Sequence, residues 1–174
     1  SGLGFREEDE PNFGENQFYA RTKIAAEKTI KELPNSLILR IRMPIDDRPH
    51  ERNLIDKLSK YSKLIDVPNS MTTVPEAIEA MKILIERRRT GIYNLVNPGT
   101  ISAAEIMAQY KEIVDSKYTF KIINLKALGE ITKATRSNCV LNTRKLESEG
   151  IVLPEIYDGV EQCLIKYRAN LDGK

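Results

Sequence analysis

Apolar positions at helical spacing alternate along this chain with short apolar runs, and this alternation predicts helices followed by strands. Helical spacing covers the residues from Asn16 to Leu33, where Pro34 ends it. The run from Leu37 to Arg42 opens with continuous apolar residues, which is typical of a parallel strand that is buried on both faces. A helix followed by such a strand predicts an α/β layer.

The remainder of the chain repeats this pattern in shorter elements. Helices are predicted over 54–61, 73–85, 102–114, 143–149 and 154–167, and strands over 64–67, 92–96 and 120–125. Two helices open with the residue types of a capping box, Thr73 with Glu76 and Ser102 with Glu105. These elements extend the α/β pattern to the end of the chain.

Composition and charge narrow the class of protein. The chain has 174 residues, of which 41% are hydrophobic, and this is enough for one domain with a real core. Lys and Arg number 27 against 25 Asp and Glu, so the charge balance gives no argument for a nucleic-acid partner. No run approaches the ~20 apolar residues of a membrane span.

The cysteine and histidine residues are too few and too scattered to form a metal site. Cys139, Cys163 and the single His50 have no metal-ligand spacing, so no metal is expected. Two isolated cysteines suit a reducing compartment, and we therefore expect a cytoplasmic protein.

Tyr19 and Lys23 are the residues with the clearest catalytic chemistry. Residues four apart lie one above the other on a helix face. A nearby ammonium favours the phenolate and so lowers the pKa of a tyrosine. Such a pair can deliver a proton to a carbonyl while hydride arrives from a nicotinamide. On spacing alone, a helix-surface tyrosine beside a solvated lysine is the favoured interpretation.

A glycine-rich phosphate loop is missing from the sequence. No Gly-x-Gly-x-x-Gly lies between a strand and a helix, and the 9 glycines are scattered. A dinucleotide pyrophosphate needs close backbone approach at a helix N-terminus, and the sequence offers no such place.

Several runs, taken in order, resemble one family. They cover nearly the whole chain and read GLGFREED, FYARTK, LRIRMPI, RNLI, VPNSMT, GIYNLVNPG, RSN and KL. This combination resembles the C-terminal half of nucleotide-sugar reductases related to dTDP-4-dehydrorhamnose reductase, within the extended short-chain dehydrogenase/reductases. The resemblance is greatest to the bifunctional 3,5-epimerase/4-reductases that convert UDP-4-keto-6-deoxy-glucose to UDP-rhamnose.

The resemblance implies a fold and a partial chain. We expect residues 1–52 to be the C-terminal part of an incomplete Rossmann cofactor domain. Residues 53–174 would form mostly a smaller α/β substrate-binding domain, with possible returns to the Rossmann layer. The upstream half, with its glycine loop, a catalytic Ser/Thr and an epimerase cysteine, would be missing. The chain is therefore expected to be a fragment, inactive by itself, that self-associates or forms a homodimer through the helix of Tyr19.

The resemblance also implies roles for the reductase residues. Tyr19 would protonate the C4 oxygen of the sugar, and Lys23 would hold the nicotinamide ribose of NADP(H) and tune Tyr19. The segment Met43-Pro44-Ile45 would run past the nicotinamide.

Four further residues are implied in substrate handling. Asn53 would contact the sugar or diphosphate, Asn69 would lie near the nucleotide, and Arg136 would pair with the diphosphate. Lys57 would exchange protons at C3 and C5 together with the missing cysteine.

Each of these assignments has a simpler alternative. Asn53 could only cap its helix, Lys57 could be a solvated surface residue, and Arg136 could belong to an ordinary basic surface. Of Arg40 and Arg42, one could form an ion pair instead of touching ligand. The whole chain could also be a regulatory or binding module of the same family without turnover.

Overall fold

The computed structural model describes residues 4–11, 18–124 and 138–172. Helices in this part of the chain are α1 (Phe18–Lys31), α2 (Leu54–Leu58), α3 (Val74–Glu86), α4 (Ala103–Ile113), α5 (Arg144–Ser148) and α6 (Ile156–Asp172). Strands are β1 (Leu37–Arg40), β2 (Pro44–Ile45), β3 (Lys63–Ile65), β4 (Thr72–Thr73), β5 (Gly91–Asn94) and β6 (Lys121–Ile123).

The strands form three parallel pairs, β1 with β5, β2 with β4, and β3 with β6. Helix α3 lies in the connection between β1 and β5, which pair in parallel and therefore need a crossover. The predicted α/β class is confirmed, and so is the prediction that the strand beginning at Leu37 pairs in parallel.

One face of the β1–β5 pair packs on helices. Leu37 and Leu39 lie with Tyr93 and Leu95 in a hydrophobic cluster to which α3 and α5 also contribute. The opposite face looks toward α1, none of whose residues is buried. All four residues of β1 are therefore only half-buried, so the prediction of a strand buried on both faces is wrong for the described residues.

The two outer edges of this pair differ. The N–H of Asn94 donates to Oε1 of Glu7 at 2.8 Å, and Nζ of Lys145 donates to the carbonyl of Ile92 at 2.7 Å. Side chains thus satisfy the outer edge of β5. Alternation in a parallel ladder points the backbone groups of Leu37 and Leu39 away from β5, and no strand among the described residues pairs with that edge.

A larger core lies among α2, α4, α6 and the strands β2 and β3. Its fully buried side chains include Ile45, Ile55, Ile106 and Leu164. Gly159 of α6 lies close to Asn97, since a Cβ there would be 3.0 Å from its Nδ2. Residues of the segment that follows β1 and of the short helix α2 pack in this core.

The two predicted capping boxes have different outcomes. Both hydrogen bonds of the box form between Ser102 and Glu105, so that prediction is confirmed. Thr73 makes no side-chain cap, and the prediction of a box with Glu76 is wrong. Its hydroxyl and its N–H both donate to Oδ1 of Asn97, at 3.0 and 2.8 Å, because Asn97 competes for the groups that a cap would use.

The division of the chain at residue 52 stays a prediction. Strand β5, which lies beyond that position, pairs with β1 from before it. No helix among the described residues is long and apolar enough to cross a membrane.

Candidate functional site

The candidate site lies where the chain leaves β1. In open parallel sheets, ligands bind outside the carboxyl ends of the strands. The chain leaves β1 after Arg40 and passes through Met43, whose φ is +42°. That backbone conformation is unusual for a residue other than glycine and costs of order 1–3 kcal/mol. Pro44 is exposed, whereas Ile45 is fully buried in the core.

Tyr19 and Lys23 lie together on the first turns of α1. The ammonium of Lys23 lies 5.7 Å from the centroid of the Tyr19 ring. Tyr19 is 72% exposed, so its hydroxyl faces open space as far as the described residues are concerned. The pair is therefore accessible to a ligand and in mutual contact, as the spacing predicts.

A two-point ion pair fixes α1 against β1. Nε and Nη2 of Arg40 donate to the two carboxylate oxygens of Glu27 at 2.9 and 2.6 Å. The hydrogen bond from Arg40 lowers the pKa of Glu27 and outweighs the opposing effect of burial. Glu27 lies four residues after Lys23, so this contact holds Tyr19 and Lys23 at a set position along the strand.

Asn53 uses its amide to hold α2 in place. Its Oδ1 accepts from the N–H groups of Ile55 and Asp46, at 3.3 and 3.2 Å. Its Nδ2 donates to the carbonyls of Asp46 and Arg48, at 2.8 and 3.0 Å. Both protons and both acceptor positions are thus engaged, which leaves this amide with no group for a ligand.

Lys57 lies on α2, one turn after Asn53. The backbone N–H of Lys57 donates to the carbonyl of Asn53, and its side chain is exposed. It has no ion-pair partner among the described residues. The Lys57 side chain is therefore accessible to a ligand and equally accessible to solvent.

Asn69 is bound to Arg42 and to a distant segment. Its Oδ1 accepts from Nη2 of Arg42 at 2.9 Å and from the N–H of Cys139 at 3.0 Å. Arg136 lies outside the described residues. The two arginines of the 39–45 run thus differ, since Arg40 forms the ion pair and Arg42 reaches Asn69.

Sequence reasoning missed the buried threonine that connects these parts. Oγ1 of Thr72 accepts from the N–H of Arg42 at 3.0 Å and donates to the carbonyl of Leu95 at 2.8 Å. Thr72 thereby links the segment that follows β1 to the segment that follows β5. A polar residue at the end of the VPNSMT run was the available signal, but the run alone does not name its partners.

Two chemistries find no support among the described residues. No group of three or more residues there could hold a metal ion. Burial raises the pKa of the Cys163 thiol to about 12, so this cysteine stays protonated at neutral pH and is a poor base or nucleophile.

Solved structures define the fold class. The chain superimposes on dTDP-4-dehydrorhamnose reductase of Bacillus anthracis, solved with NADP, with a TM-score of 0.77 over 94% of the chain at 19% identity. At this identity the likeness shows the fold alone. The fold is the Rossmann-like one of nucleotide-sugar reductases and epimerases.

Sequence relatives define the group more narrowly. The chain is 40% identical over 168 residues to the bifunctional dTDP-4-dehydrorhamnose 3,5-epimerase/reductase of Arabidopsis thaliana, covering 96% of the chain and 54% of the relative. It is 34% identical to the L780 UDP-rhamnose synthase of Acanthamoeba polyphaga mimivirus, with a TM-score of 0.84, covering 94% of the chain and 57% of that structure. No protein-family model matches.

The chain is homologous to part of the bifunctional epimerase/reductases of rhamnose synthesis. It spans about half the length of the Arabidopsis bifunctional enzyme and of the mimivirus protein, and about a quarter of the trifunctional Arabidopsis relatives that it also matches.

Proposed function

We propose that this chain is part of a nucleotide-sugar 3,5-epimerase/4-keto-reductase that makes UDP-L-rhamnose with NADPH. The chain would supply the Tyr-x-x-x-Lys pair and much of the sugar-nucleotide site. The observation that carries this proposal is the accessible pair of Tyr19 and Lys23 on α1, in a chain 40% identical to an epimerase/reductase.

In the reduction step, Tyr19 acts as the general acid. When bound, the nicotinamide supplies hydride to C4 of the keto sugar. The phenol of Tyr19 gives its proton to the C4 oxygen, and the cation of Lys23 stabilises the phenolate that remains. Lys23 also holds the nicotinamide ribose. The Arg40–Glu27 contact keeps α1 from sliding along β1 during this step.

The residues present suit the nicotinamide end of the cofactor. Tyr19 and Lys23 are exposed, and the strained backbone at Met43 lies at the strand exit. Backbone strain of this kind clusters at ligand sites, which favours the role of Met43, Pro44 and Ile45 beside the nicotinamide. The pyrophosphate site would come from sequence outside this chain.

In the epimerisation step, Lys57 acts on protons at C3 and C5. A ketone at C4 acidifies both neighbouring carbons. Inversion needs a base on one face of each carbon and a proton donor on the other, so Lys57 would act together with the expected upstream cysteine: one group removes the proton and the other returns a proton to the opposite face. We propose that Asn53 contributes by fixing α2, because its own amide is already engaged. Arg136 would pair with the diphosphate, for which a planar guanidinium is suited.

Reduction at C4 and epimerisation at C3 and C5 can be tested separately in the full-length enzyme. Tyr19→Phe should lower 4-keto reduction by ~10²–10⁴-fold, because the aromatic ring stays while the hydroxyl proton is lost. Lys57→Ala should slow deuterium incorporation from solvent at C3 and C5, yet leave the reduction of an epimerised substrate largely intact. NADPH oxidation and deuterium content are the two measurements.

Matched controls are available for both changes. Tyr157→Phe alters another exposed tyrosine, and Lys60→Ala removes an exposed lysine beyond the end of α2. Both should behave as the parent. NADPH oxidation by Tyr19→Phe at the parental rate would refute the role of Tyr19 in reduction. Deuterium incorporation by Lys57→Ala at the parental rate would show that Lys57 is an ordinary surface lysine.

A further inference from the structure

The Asn69 side chain joins three parts of the chain that are far apart in sequence. Its Oδ1 accepts from Nη2 of Arg42 at 2.9 Å and from the N–H of Cys139 at 3.0 Å, and its Nδ2 donates to the carbonyl of Val67 at 3.0 Å. The opposite amide orientation would place an NH₂ group against two donors. The carboxamide therefore has one orientation that suits these partners.

Asn69 is also buried and held by its own backbone. It is 6% exposed with no ligand present, so it offers a ligand little surface. Its N–H and carbonyl both bond to Ile101, at 3.1 and 3.0 Å, in an isolated bridge. The side chain thus projects from a fixed backbone toward Arg42 and Cys139.

The segment 138–142 is held on both sides at the strand exits. On one side, Ser70 donates its N–H to the carbonyl of Cys139 at 3.1 Å and accepts from the N–H of Leu141 at 2.9 Å through Oγ. On the other side, the N–H of Phe5 donates to the carbonyl of Val140 at 2.7 Å. Gly4, with a φ of +69°, permits this approach, since a Cβ there would lie 2.8 Å from that carbonyl oxygen.

We propose that Asn69 is a positioning residue for the sugar-nucleotide site and does not itself touch the ligand. Through its single acceptor oxygen it ties Arg42, at the exit of β1, to Cys139, at the start of the held segment. Its loss would loosen this connection beside the proposed site and weaken substrate affinity. This inference rests on the proposed function, and it replaces the expectation that Asn69 contacts the nucleotide.

The comparison of Asn69→Ala with Asn69→Asp tests the proposal in the full-length enzyme. Aspartate keeps an acceptor for both donors, whereas alanine removes it, and both variants lose the donation to Val67. For a positioning role, alanine should raise KM for the sugar nucleotide about tenfold with kcat little changed, and aspartate should restore KM to within about threefold of the parent.

A residue that touched the diphosphate would give the opposite order. The negative charge of aspartate would repel the anionic ligand, so KM for Asn69→Asp would exceed KM for Asn69→Ala. That order would overturn the proposal, and so would parental KM in both variants.

Amide hydrogen exchange in the 174-residue chain tests the same inference without any activity. The N–H of Cys139 should exchange about tenfold faster in Asn69→Ala than in the parent, and near the parental rate in Asn69→Asp. Equal exchange in all three proteins would overturn the proposal. A full-length enzyme without reductase activity would instead overturn the proposed function, and the exchange comparison would still decide whether Asn69 holds this segment.

Discussion

The attachment of α1 to the sheet depends on the Arg40–Glu27 contact, and Glu27→Gln tests this dependence. No residue of α1 is buried, so hydrophobic contact contributes little to its docking. Glutamine has nearly the helix propensity of glutamate and the same shape, so the change removes the charge and one acceptor alone. We expect α1 to open locally more often while the rest of the fold stays intact.

The size of the effect follows from the burial of the pair. The side chains of Arg40 and Glu27 are 19% and 24% exposed, so solvent screens them only in part. Hydrogen bonds to charged groups contribute about 1.5–3 kcal/mol, which corresponds to a roughly 10- to 100-fold rise in local opening. The lowered pKa of Glu27 adds a pH dependence. This stabilisation is present above the unfolded pKa of glutamate and is lost as pH falls through the folded pKa.

Amide hydrogen exchange of α1 relative to α4 is the assay, and the chain supplies a matched control. Glu79 and Lys82 form an exposed ion pair within α3, so Glu79→Gln should change stability by less than about 0.5 kcal/mol. Equal exchange of α1 in the parent and in Glu27→Gln would refute the reasoning. Faster exchange throughout the protein would refute it as well, because it would place the ion pair in the global fold.

Four other predictions concern packing, pH, cofactor and association. Gly159→Ala should lower the free energy of unfolding. A Cβ 3.0 Å from Asn97 and 3.2 Å from Thr73 costs ~1–3 kcal/mol, whereas the gain in helix propensity is ~1 kcal/mol. Denaturant titration measures the change in the free energy of unfolding, and a stabilised variant would contradict the prediction. Burial and the neighbouring Asp47 raise the pKa of Asp46, so the contribution of this group to stability is lost as pH rises through its folded pKa. In thermal melts, Asp46→Asn should therefore stabilise the protein more at pH 7 than at pH 3. The reverse order would show that the fold favours the carboxylate. Calorimetry should detect little NADPH binding to the 174-residue chain, because its sequence has no glycine-rich loop for the pyrophosphate. Tight stoichiometric binding would refute this. Sedimentation should show self-association through α1 and through the edge of β1 that pairs with none of the described strands, whereas a clean monomer at high concentration would refute it.

The local sequence predicted the helices and strands better than it predicted which distant residues bond to them. The Ser102 box formed because both of its members lie within one turn, so no distant residue is needed. The Thr73 box did not form because Asn97, 24 residues away, takes the threonine hydroxyl and N–H. Both stretches carry the same signature, and only tertiary structure distinguishes them.

The same distinction holds for the candidate site. The spacing of Tyr19 and Lys23 was enough to predict their contact on one helix face. The expectation that Asn53 and Asn69 face a ligand stays a prediction. In the structure both amides bond to backbone groups, and Asn69 also bonds to Arg42, which no local pattern reveals. The polar residues that follow the strands were the sequence signal for a site, whereas the contacts they make depend on which neighbours the fold brings to them.

The most direct test of the proposed function is product analysis of the full-length enzyme. UDP-4-keto-6-deoxy-glucose and NADPH are supplied together, and the nucleotide sugars are separated and identified. The account predicts UDP-L-rhamnose formed in a one-to-one ratio with NADPH oxidised, and loss of that product in Tyr19→Phe. Unchanged substrate with no NADPH oxidised by the parent enzyme would contradict it.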